Sequence, residues 1–164
     1  MDAELQKLLL KKAGALLARR SYSRGELGDK LARYAEGSQV EPVLDRLEQL
    51  NLLNDADYAY NFALCRIQEG WAPAKVHSSL LRRKIGQKTV ERALERAQSE
   101  PASESSLASF VQMHCRKKGL PASPREVRRL ISYLLRRGYD EETVLDTLRQ
   151  TLPQTVWNRF DTGE

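Results

Sequence analysis

The sequence predicts an all-α fold of three tandem three-helix repeats that form an elongated, curved array. A leucine followed two residues later by an arginine occurs at Leu31, Leu81 and Leu135, at intervals of 50 and 54 residues. Each is followed by a valine and then a second leucine at the same spacing: Val40 and Leu44, Val90 and Leu94, Val144 and Leu148. No segment of useful length alternates apolar and polar residues as a strand does. A period near 50 residues is typical of stacked helical units that bury their apolar faces partly against their neighbours.

Composition and local sequence signals set the expected boundaries of these repeats. We expect the first repeat, with an N-terminal helix extension, at residues 1–53 and the second at 54–98. Residues 99–106 are rich in serine and glutamate and contain a proline, which is typical of a linker. The third repeat is expected at 107–152 and a tail at 153–164.

Helix starts are predicted from capping residues, and the first helix is expected over 3–20. Three Ser-x-x-Glu sequences predict capping boxes, in which each side chain bonds the other residue's free backbone N–H. They are Ser23 with Glu26, Ser38 with Glu41, and Ser123 with Glu126. Asn54 and Asp140 are single N-cap candidates, and Pro73 and Pro124 suit a first helical turn.

Helix ends and inner faces follow from glycines and from apolar spacing. Gly70, Gly86 and Gly138 are expected to end helices. Leu80 and Leu81 are both placed on the inner face of the second repeat. Trp157 and Phe160 are expected to pack the tail against the third repeat.

Composition argues against several functional classes. The chain has 164 residues, of which 41% are hydrophobic and 30% are charged, as in a folded and helix-rich protein. Phosphate loops, metalloprotease motifs and nucleophile elbows do not occur in it, and its carboxylates cluster at helix starts. The cysteines and histidines lack metal-ligand spacing, and no signal peptide or apolar span is evident. We therefore expect a non-enzymatic cytoplasmic protein with reduced cysteines and no cofactor or metal.

The net charge of +5 comes largely from two basic regions, from Arg66 to Arg96 and from Arg116 to Arg137. A solvated helix surface and a stripe that binds nucleic acid or an acidic protein both fit this charge. The aromatic residues that could stack with bases do not interleave with the basic runs, and most are assigned to the core. They are Tyr22, Tyr34, Tyr58, Tyr60, Phe62 and Phe110.

The order and spacing of several motifs resemble the bacterial RecX recombination regulators. Residues 16–27, with Lys30 and Leu31, resemble the start of the family's sequences. The segment that follows in the family is matched at 43–45, Leu47, 52–55, Tyr58 and Ala59. Further matches are 70–76 with Leu80, Leu81, Lys84 and Ile85, and then 134–139. Trp71, Ala72 and Asn51 depart from the usual family pattern, which affects local loop geometry.

The resemblance implies tandem three-helix repeats and a modulator of the RecA recombinase. Such a protein binds in the groove of the RecA–single-stranded DNA filament and inhibits ATP hydrolysis and strand exchange. The implied partners are the RecA filament and its single-stranded DNA, with no membrane contact, and we expect a monomer.

We hypothesise that basic residues of all three repeats contact RecA or DNA, whereas Asp55, Tyr58, Gly70 and Pro73 serve the fold. The candidates are Arg19, Arg20, Arg24, Lys75, Arg82, Arg83, Lys84, Arg128, Arg129, Arg136 and Arg137. Two alternatives stay open: a helical-repeat protein that binds DNA directly, and an adaptor that binds only protein.

Overall fold

The computed structural model describes residues 3–100 and 107–162, and these residues form ten α-helices and no strand. The all-α prediction is therefore confirmed for the described chain. In order the helices are α1 (Ala3–Leu17), α2 (Arg24–Leu31), α3 (Gly37–Gln49), α4 (Asp55–Gln68), α5 (Pro73–Arg82), α6 (Gln87–Ser99), α7 (Leu107–Lys118), α8 (Pro124–Arg136), α9 (Glu141–Thr151) and α10 (Gln154–Thr162).

The chain divides into two compact units, and the dividing points fall within α4, α5 and α6. The first unit is Met1–Phe62 with His77–Glu95, and the second is Ala63–Val76 with Arg96–Glu164. The division into three repeats stays a prediction. Of the predicted linker, residues 101–106 lie outside the described residues, and Ser99 ends α6.

In the first unit, α1 packs on α2 and α3, and α2 also packs on α3. Apolar residues at helical spacing supply this core, since Leu9, Leu27, Leu31 and Val43 are all fully buried. Burying a leucine or valine side chain contributes about 1.5–3 kcal/mol. The packing of these buried apolar side chains is therefore the main source of stability for the first unit.

In the second unit, α9 packs on α7 and α8, and α10 packs on α8. Trp157 is only 6% exposed and belongs to the same apolar cluster as Val127 and Val144, with Phe160 packed against that cluster. The rings of Trp157 and Phe160 meet edge to face, with their centroids 5.6 Å apart. The predicted docking of the tail is confirmed.

Several predicted helix boundaries are confirmed. The Ser23 hydroxyl accepts from the backbone N–H of Glu26 at 3.1 Å, and the Glu26 carboxylate accepts from that of Ser23 at 3.3 Å. The side chains of Asn54 and Asp140 cap α4 and α9. Pro73 and Pro124 are the first residues of α5 and α8.

Two predicted capping boxes differ from the structure. The Ser38 box is wrong: Glu36 is the N-cap of α3, its N–H donates to the Gln39 side chain at 3.2 Å, and Ser38 lies inside the helix. Ser123 does cap α8, but the Glu126 carboxylate accepts from the N–H of Ala122 at 2.7 Å instead of from Ser123.

Gly86 does not end α5, contrary to the prediction. The helix ends at Arg82, and Lys84 takes the left-handed conformation with φ +61°. The Gly86 carbonyl instead accepts from Val90 at the start of α6. Gly70 and Gly138 do take left-handed conformations after α4 and α8, as expected of residues that end helices.

The repeated leucines do not all occupy equivalent environments. Leu31 is fully buried, whereas Leu81 is 39% and Leu135 is 38% exposed. The buried residues that precede them are Leu80 and Leu134, each 0% exposed. Leu80 and Leu134 lie ten residues before the buried valine of the next helix and Leu31 lies nine before it, so the leucine that matches Leu31 in environment is the first of each later Leu-Leu pair. Placing Leu81 on the inner face was therefore wrong.

Candidate interface residues

The candidate basic residues differ in how much of each side chain is committed to contacts within its own unit. Most of them contact carboxylates, carbonyls or aromatic rings nearby. The side chains that are exposed and are not part of a cross-helix contact described below are Arg19, Arg82, Arg129 and Arg136; Arg128 is also exposed but lies near an aromatic ring of α10.

Arg24 is held by three carboxylates of α3. Its guanidinium lies 2.5 Å from Glu41, 2.7 Å from Asp45 and 2.6 Å from Glu48, and its side chain is 26% exposed. Burial acts to lower the pKa of Arg24, but the hydrogen bonds to Asp45 and Glu41 outweigh it, so the pKa is raised. Arg24 therefore neutralises an acidic face of α3 in the first unit.

Asp55 supports the same region, as expected for a residue assigned to the fold. The backbone N–H of Arg24 donates to the Asp55 carboxylate at 2.7 Å, which joins the start of α2 to the start of α4. Burial raises the pKa of Asp55, against the opposing effect of this hydrogen bond.

A contact in the first unit, here called the first junction, joins the first turn of α2 (Ser23–Glu26) to the two residues after α5 (Arg83 and Lys84). The Ser23 hydroxyl donates to the Arg83 carbonyl, and the Arg83 guanidinium donates to the Glu26 carboxylate at 2.8 Å. The Lys84 ammonium lies 2.7 Å from Asp29. A Cβ on Gly25 would collide with Lys84 Cβ, so glycine permits the close approach.

A contact in the second unit, here called the second junction, joins Ala72–Lys75 at the start of α5 to Arg136–Gly138 at the end of α8. The Ala72 N–H donates to the Arg137 carbonyl at 2.9 Å, and the Lys75 ammonium donates to the Arg136 carbonyl. A Cβ on Gly138 would lie 2.6 Å from Lys75 Cβ.

Arg137 extends the second junction to neighbouring elements. Its guanidinium donates to the Glu69 carbonyl at 2.5 Å and to the Tyr133 hydroxyl at 2.6 Å, and it lies over the Tyr133 ring at 4.8 Å from the centroid. In the first junction Arg83 similarly lies over the Phe62 ring at 4.8 Å. Arg83 and Arg137 are thus positioning residues of the two junctions.

Arg82 and Arg136 are the last residues of α5 and α8, one position before Arg83 and Arg137. Both side chains are exposed, so each unit presents an accessible arginine at the same point of a helix. Of the remaining candidates, Arg20 lies over the Tyr22 ring at 3.7 Å and 3.6 Å from Glu26, while Arg128 lies 5.8 Å from the Phe160 centroid.

A groove of about 570 Å³ lies between α7 and α8, and we call it the α7–α8 groove. Its lining includes the predicted candidates Arg129 and Arg136, and Lys118 from the same predicted basic region. It also includes His114 and Tyr133, which the sequence patterns did not assign to a binding surface. Tyr133 lies between Arg129 and Arg136 at helical spacing on α8, and this was the available signal.

The described part of the chain offers no sign of a metal or membrane site. Among residues 3–100 and 107–162, no three His, Cys, Asp or Glu side chains are grouped to hold a metal ion. None of the described helices is both long enough and apolar enough to cross a lipid bilayer. Both Cys65 and Cys115 are free thiols, and burial raises the pKa of Cys115.

Fold and surface together define a class: small all-α proteins whose candidate site is a set of exposed cations on packed helices. No family model matches the chain. Regulatory protein RecX of Halorhodospira halophila (strain DSM 244 / SL1) is 32% identical over 130 residues, which span 79% of each chain. Regulatory protein RecX of Pseudomonas entomophila (strain L48) is 33% identical over 132 residues, 79% of this chain and 82% of that protein.

Solved structures share the fold. The crystal structure of RecX from Lactobacillus salivarius has a TM-score of 0.67 at 16% identity and matches 92% of this chain and 98% of that one. A second crystal structure, of regulatory protein RecX, has a TM-score of 0.61 at 21% identity and matches 86% and 70%. On the sequence identities to its relatives, the chain belongs to the RecX family of regulatory proteins.

Proposed function

We propose that this protein is a negative regulator of the RecA recombinase. It binds the RecA–single-stranded DNA filament in its helical groove and inhibits ATP hydrolysis and strand exchange. The observation that carries the proposal is membership of the RecX family, supported by 32% identity over most of both chains. The protein acts as a cytoplasmic monomer without catalysis, cofactor or membrane contact.

Exposed cations supply the interface in this proposal. Arg82 and Arg136 end helices at matching positions, and neither side chain is part of a junction. Arg19, Arg128 and Arg129 add further exposed charge. A nucleoprotein filament carries phosphates, and arginine binds phosphate and carboxylate groups through paired N–H donors. Binding is therefore expected to weaken as salt concentration rises.

The structure separates residues that would bind the filament from residues that hold the fold. Substituting Arg83 or Lys84 would disturb the first junction, and substituting Arg24 would leave three carboxylates on α3 without their shared cation. Loss of inhibition in such variants would report misfolding as readily as a weakened interface. Arg82 and Arg136 avoid this confusion.

The test measures RecA ATP hydrolysis on single-stranded DNA with the protein present at substoichiometric amounts. We expect wild type to slow hydrolysis, and the double variant Arg82→Glu with Arg136→Glu to need at least about tenfold more protein for the same effect. The matched control is Lys88→Glu with Arg92→Glu, which changes the net charge equally at exposed positions of α6.

The same assay distinguishes the alternatives. If wild type leaves ATP hydrolysis unchanged, the proposed regulation of RecA is wrong. If wild type slows hydrolysis only by competing with RecA for bare DNA, direct DNA binding replaces filament binding. Equal inhibition by the site variant and its control would remove Arg82 and Arg136 from the interface.

A further inference from the structure

The α7–α8 groove has an excess of positive charge. Lys118 lies at the end of α7, and Arg129 and Arg136 lie along α8. Glu126 is the acidic residue of the lining, and its carboxylate already accepts the Ala122 N–H at 2.7 Å. Three cations facing one partnered carboxylate give the groove a net positive potential, which attracts an anion such as a phosphodiester.

Aromatic rings lie between these charges. The rings of His114 and Tyr133 stack with their centroids 5.3 Å apart, and Phe110 lies 6.2 Å from Tyr133. His114 and Tyr133 line the groove and are only half-buried. His114 lies on α7 and Tyr133 on α8, so only the fold brings the two rings together.

The Tyr133 ring is held in place in the absence of a ligand. Arg137 donates to the Tyr133 hydroxyl at 2.6 Å and lies over its ring, and Arg137 is itself fixed to the Glu69 carbonyl. A ring that is already ordered loses less conformational entropy when a ligand packs on it.

The electrostatics at His114 agree with a positive groove. Burial lowers the pKa of His114, and the nearby charges of Lys118 and Arg137 lower it further. At neutral pH the imidazole is thus mainly uncharged, and an uncharged ring can pack flat against a nucleobase.

From this arrangement we infer that the α7–α8 groove binds a nucleotide of single-stranded nucleic acid. Lys118, Arg129 and Arg136 hold the phosphate, and the base packs against the His114–Tyr133 ring pair. Combining a cationic groove with aromatic rings is the general means of binding unpaired strands without sequence preference. The inference deepens the proposed function and rests on it in one respect, since the strand would be the one that RecA coats.

The test is fluorescence anisotropy of a labelled oligo-dT strand titrated with the purified full-length protein without RecA. The groove variant is Lys118→Glu with Arg129→Glu. Its matched control is Lys117→Glu with Arg125→Glu, which changes the same net charge at exposed positions of the same two helices. We expect the groove variant to bind at least about tenfold more weakly than its control. We also expect its salt slope to fall by about one for each phosphate that it no longer neutralises.

Base packing is tested with an abasic strand of equal length. Wild type should bind oligo-dT about 5- to 100-fold more tightly than the abasic strand, and His114→Ala should reduce this preference. Melting curves confirm that each variant is folded. An oligoglutamate peptide serves as the competitor that represents an acidic protein segment.

The outcomes separate this inference from the regulation of RecA. Equal binding by groove and control variants, equal binding of oligo-dT and abasic strands, or displacement of oligo-dT by oligoglutamate at similar concentration would each overturn the nucleotide site. The ATPase assay is run on the same preparations. If wild type inhibits RecA while the groove variants bind DNA normally, only this inference fails; if wild type does not inhibit RecA, the proposed function fails whatever the DNA binding shows.

Discussion

The first and second junctions each join the start of one helix to the residues after another, but the glycine that permits the close approach lies on opposite sides of the two contacts. In each, the residue before a helix donates to the carbonyl of the second arginine after a Leu-Leu pair: the Ser23 hydroxyl to Arg83, and the Ala72 backbone N–H to Arg137. In the first junction the small residue is Gly25 of α2, and Lys84, which follows α5, is the large residue that it contacts. In the second junction the small residue is Gly138, which follows α8, and Lys75 of α5 is the large residue that it contacts.

This difference shows that the contact is specified by a pair of positions and not by one residue. A close approach of backbones needs one partner without a Cβ, and either partner can provide it. The polar contacts change accordingly: Glu26 pairs with Arg83 in the first junction, and Lys75 bonds a carbonyl in the second. The arginine carbonyl accepts a hydrogen bond in both junctions, from a side chain in the first and from the backbone in the second.

The largest effect is expected from Gly138→Ala. The substitution forces alanine into a left-handed conformation at φ +95°, which costs about 1–2 kcal/mol, and brings its Cβ to 2.6 Å from Lys75 Cβ. Overpacking adds about 1–3 kcal/mol. Chemical denaturation should therefore show a loss of about 2–5 kcal/mol in the free energy of unfolding.

Gly119→Ala is the matched control for this substitution. Gly119 has a similar φ of +91°, but a Cβ there would have no atom within 4 Å. Only the conformational cost of about 1–2 kcal/mol is expected. Equal losses for the two variants would mean that the close approach at the second junction contributes nothing.

The next largest effect is expected from Ser23→Ala at the first junction. Ser23 is fully buried, and its hydroxyl both caps α2 and donates to the Arg83 carbonyl. Losing a cap costs about 1 kcal/mol, and a carbonyl left unbonded adds about 1 kcal/mol. Ser123→Ala removes only a cap on α8 and should cost half as much in the same denaturation experiment. A Ser23 variant no less stable than the Ser123 variant would contradict the cross-helix bond.

A small effect is expected from Asp29→Asn. The ion pair between Asp29 and Lys84 spans 2.7 Å, but the side chains are 60% and 58% exposed, so solvent screens the attraction. Exposed pairs of this kind contribute about 0–1 kcal/mol. Thermal melts of the variant and wild type should coincide within about 2 °C and converge further in high salt. A larger shift would make the ion pair, not the packing at Gly25, the main determinant of the first junction.

The smallest effect is a pH dependence confined to the second unit. Burial, Lys118 and Arg137 lower the pKa of His114 below 6.5, so the unfolded chain binds a proton more readily than the folded one. The contribution of His114 is therefore retained above about pH 6.5 and lost as pH falls below it. His114→Gln should remove this part of the acid destabilisation in denaturation curves at about pH 7.5 and about pH 5.5, which lie on either side of the ordinary histidine pKa. The other charged groups along the groove are Glu126, Arg129 and Arg136.

Local signals predicted much of the fold correctly. Ser23 with Glu26 formed the expected box, with both reciprocal hydrogen bonds present. The box at Ser38 failed because Glu36 and Gln39 offered a competing start just before it, while Glu41 bonds Arg24 instead. Choosing between adjacent caps depends on tertiary partners that a short sequence window does not contain.

The site was harder to predict because it depends on contacts between distant residues. Arg82 and Arg83 are neighbours of the same type in sequence, yet one is exposed and the other pairs with Glu26, 57 residues away. Charge counting assigned both to a partner surface. Tyr133 was missed for the same reason, since its stacking partner His114 lies on another helix.

In each arginine pair, the first residue is assigned to partner binding and the second to a junction. This assignment can be tested with four single variants: Arg82→Ala, Arg83→Ala, Arg136→Ala and Arg137→Ala. Each is measured for its melting temperature and for inhibition of RecA ATP hydrolysis on single-stranded DNA. We expect Arg83→Ala and Arg137→Ala to lower stability by at least about 1 kcal/mol, because each loses charge-assisted hydrogen bonds. Arg82→Ala and Arg136→Ala should melt like wild type and inhibit more weakly. If Arg82→Ala and Arg136→Ala were instead as destabilised as their neighbours and inhibited RecA as well as wild type, the assignment of exposed arginines to the partner would be contradicted.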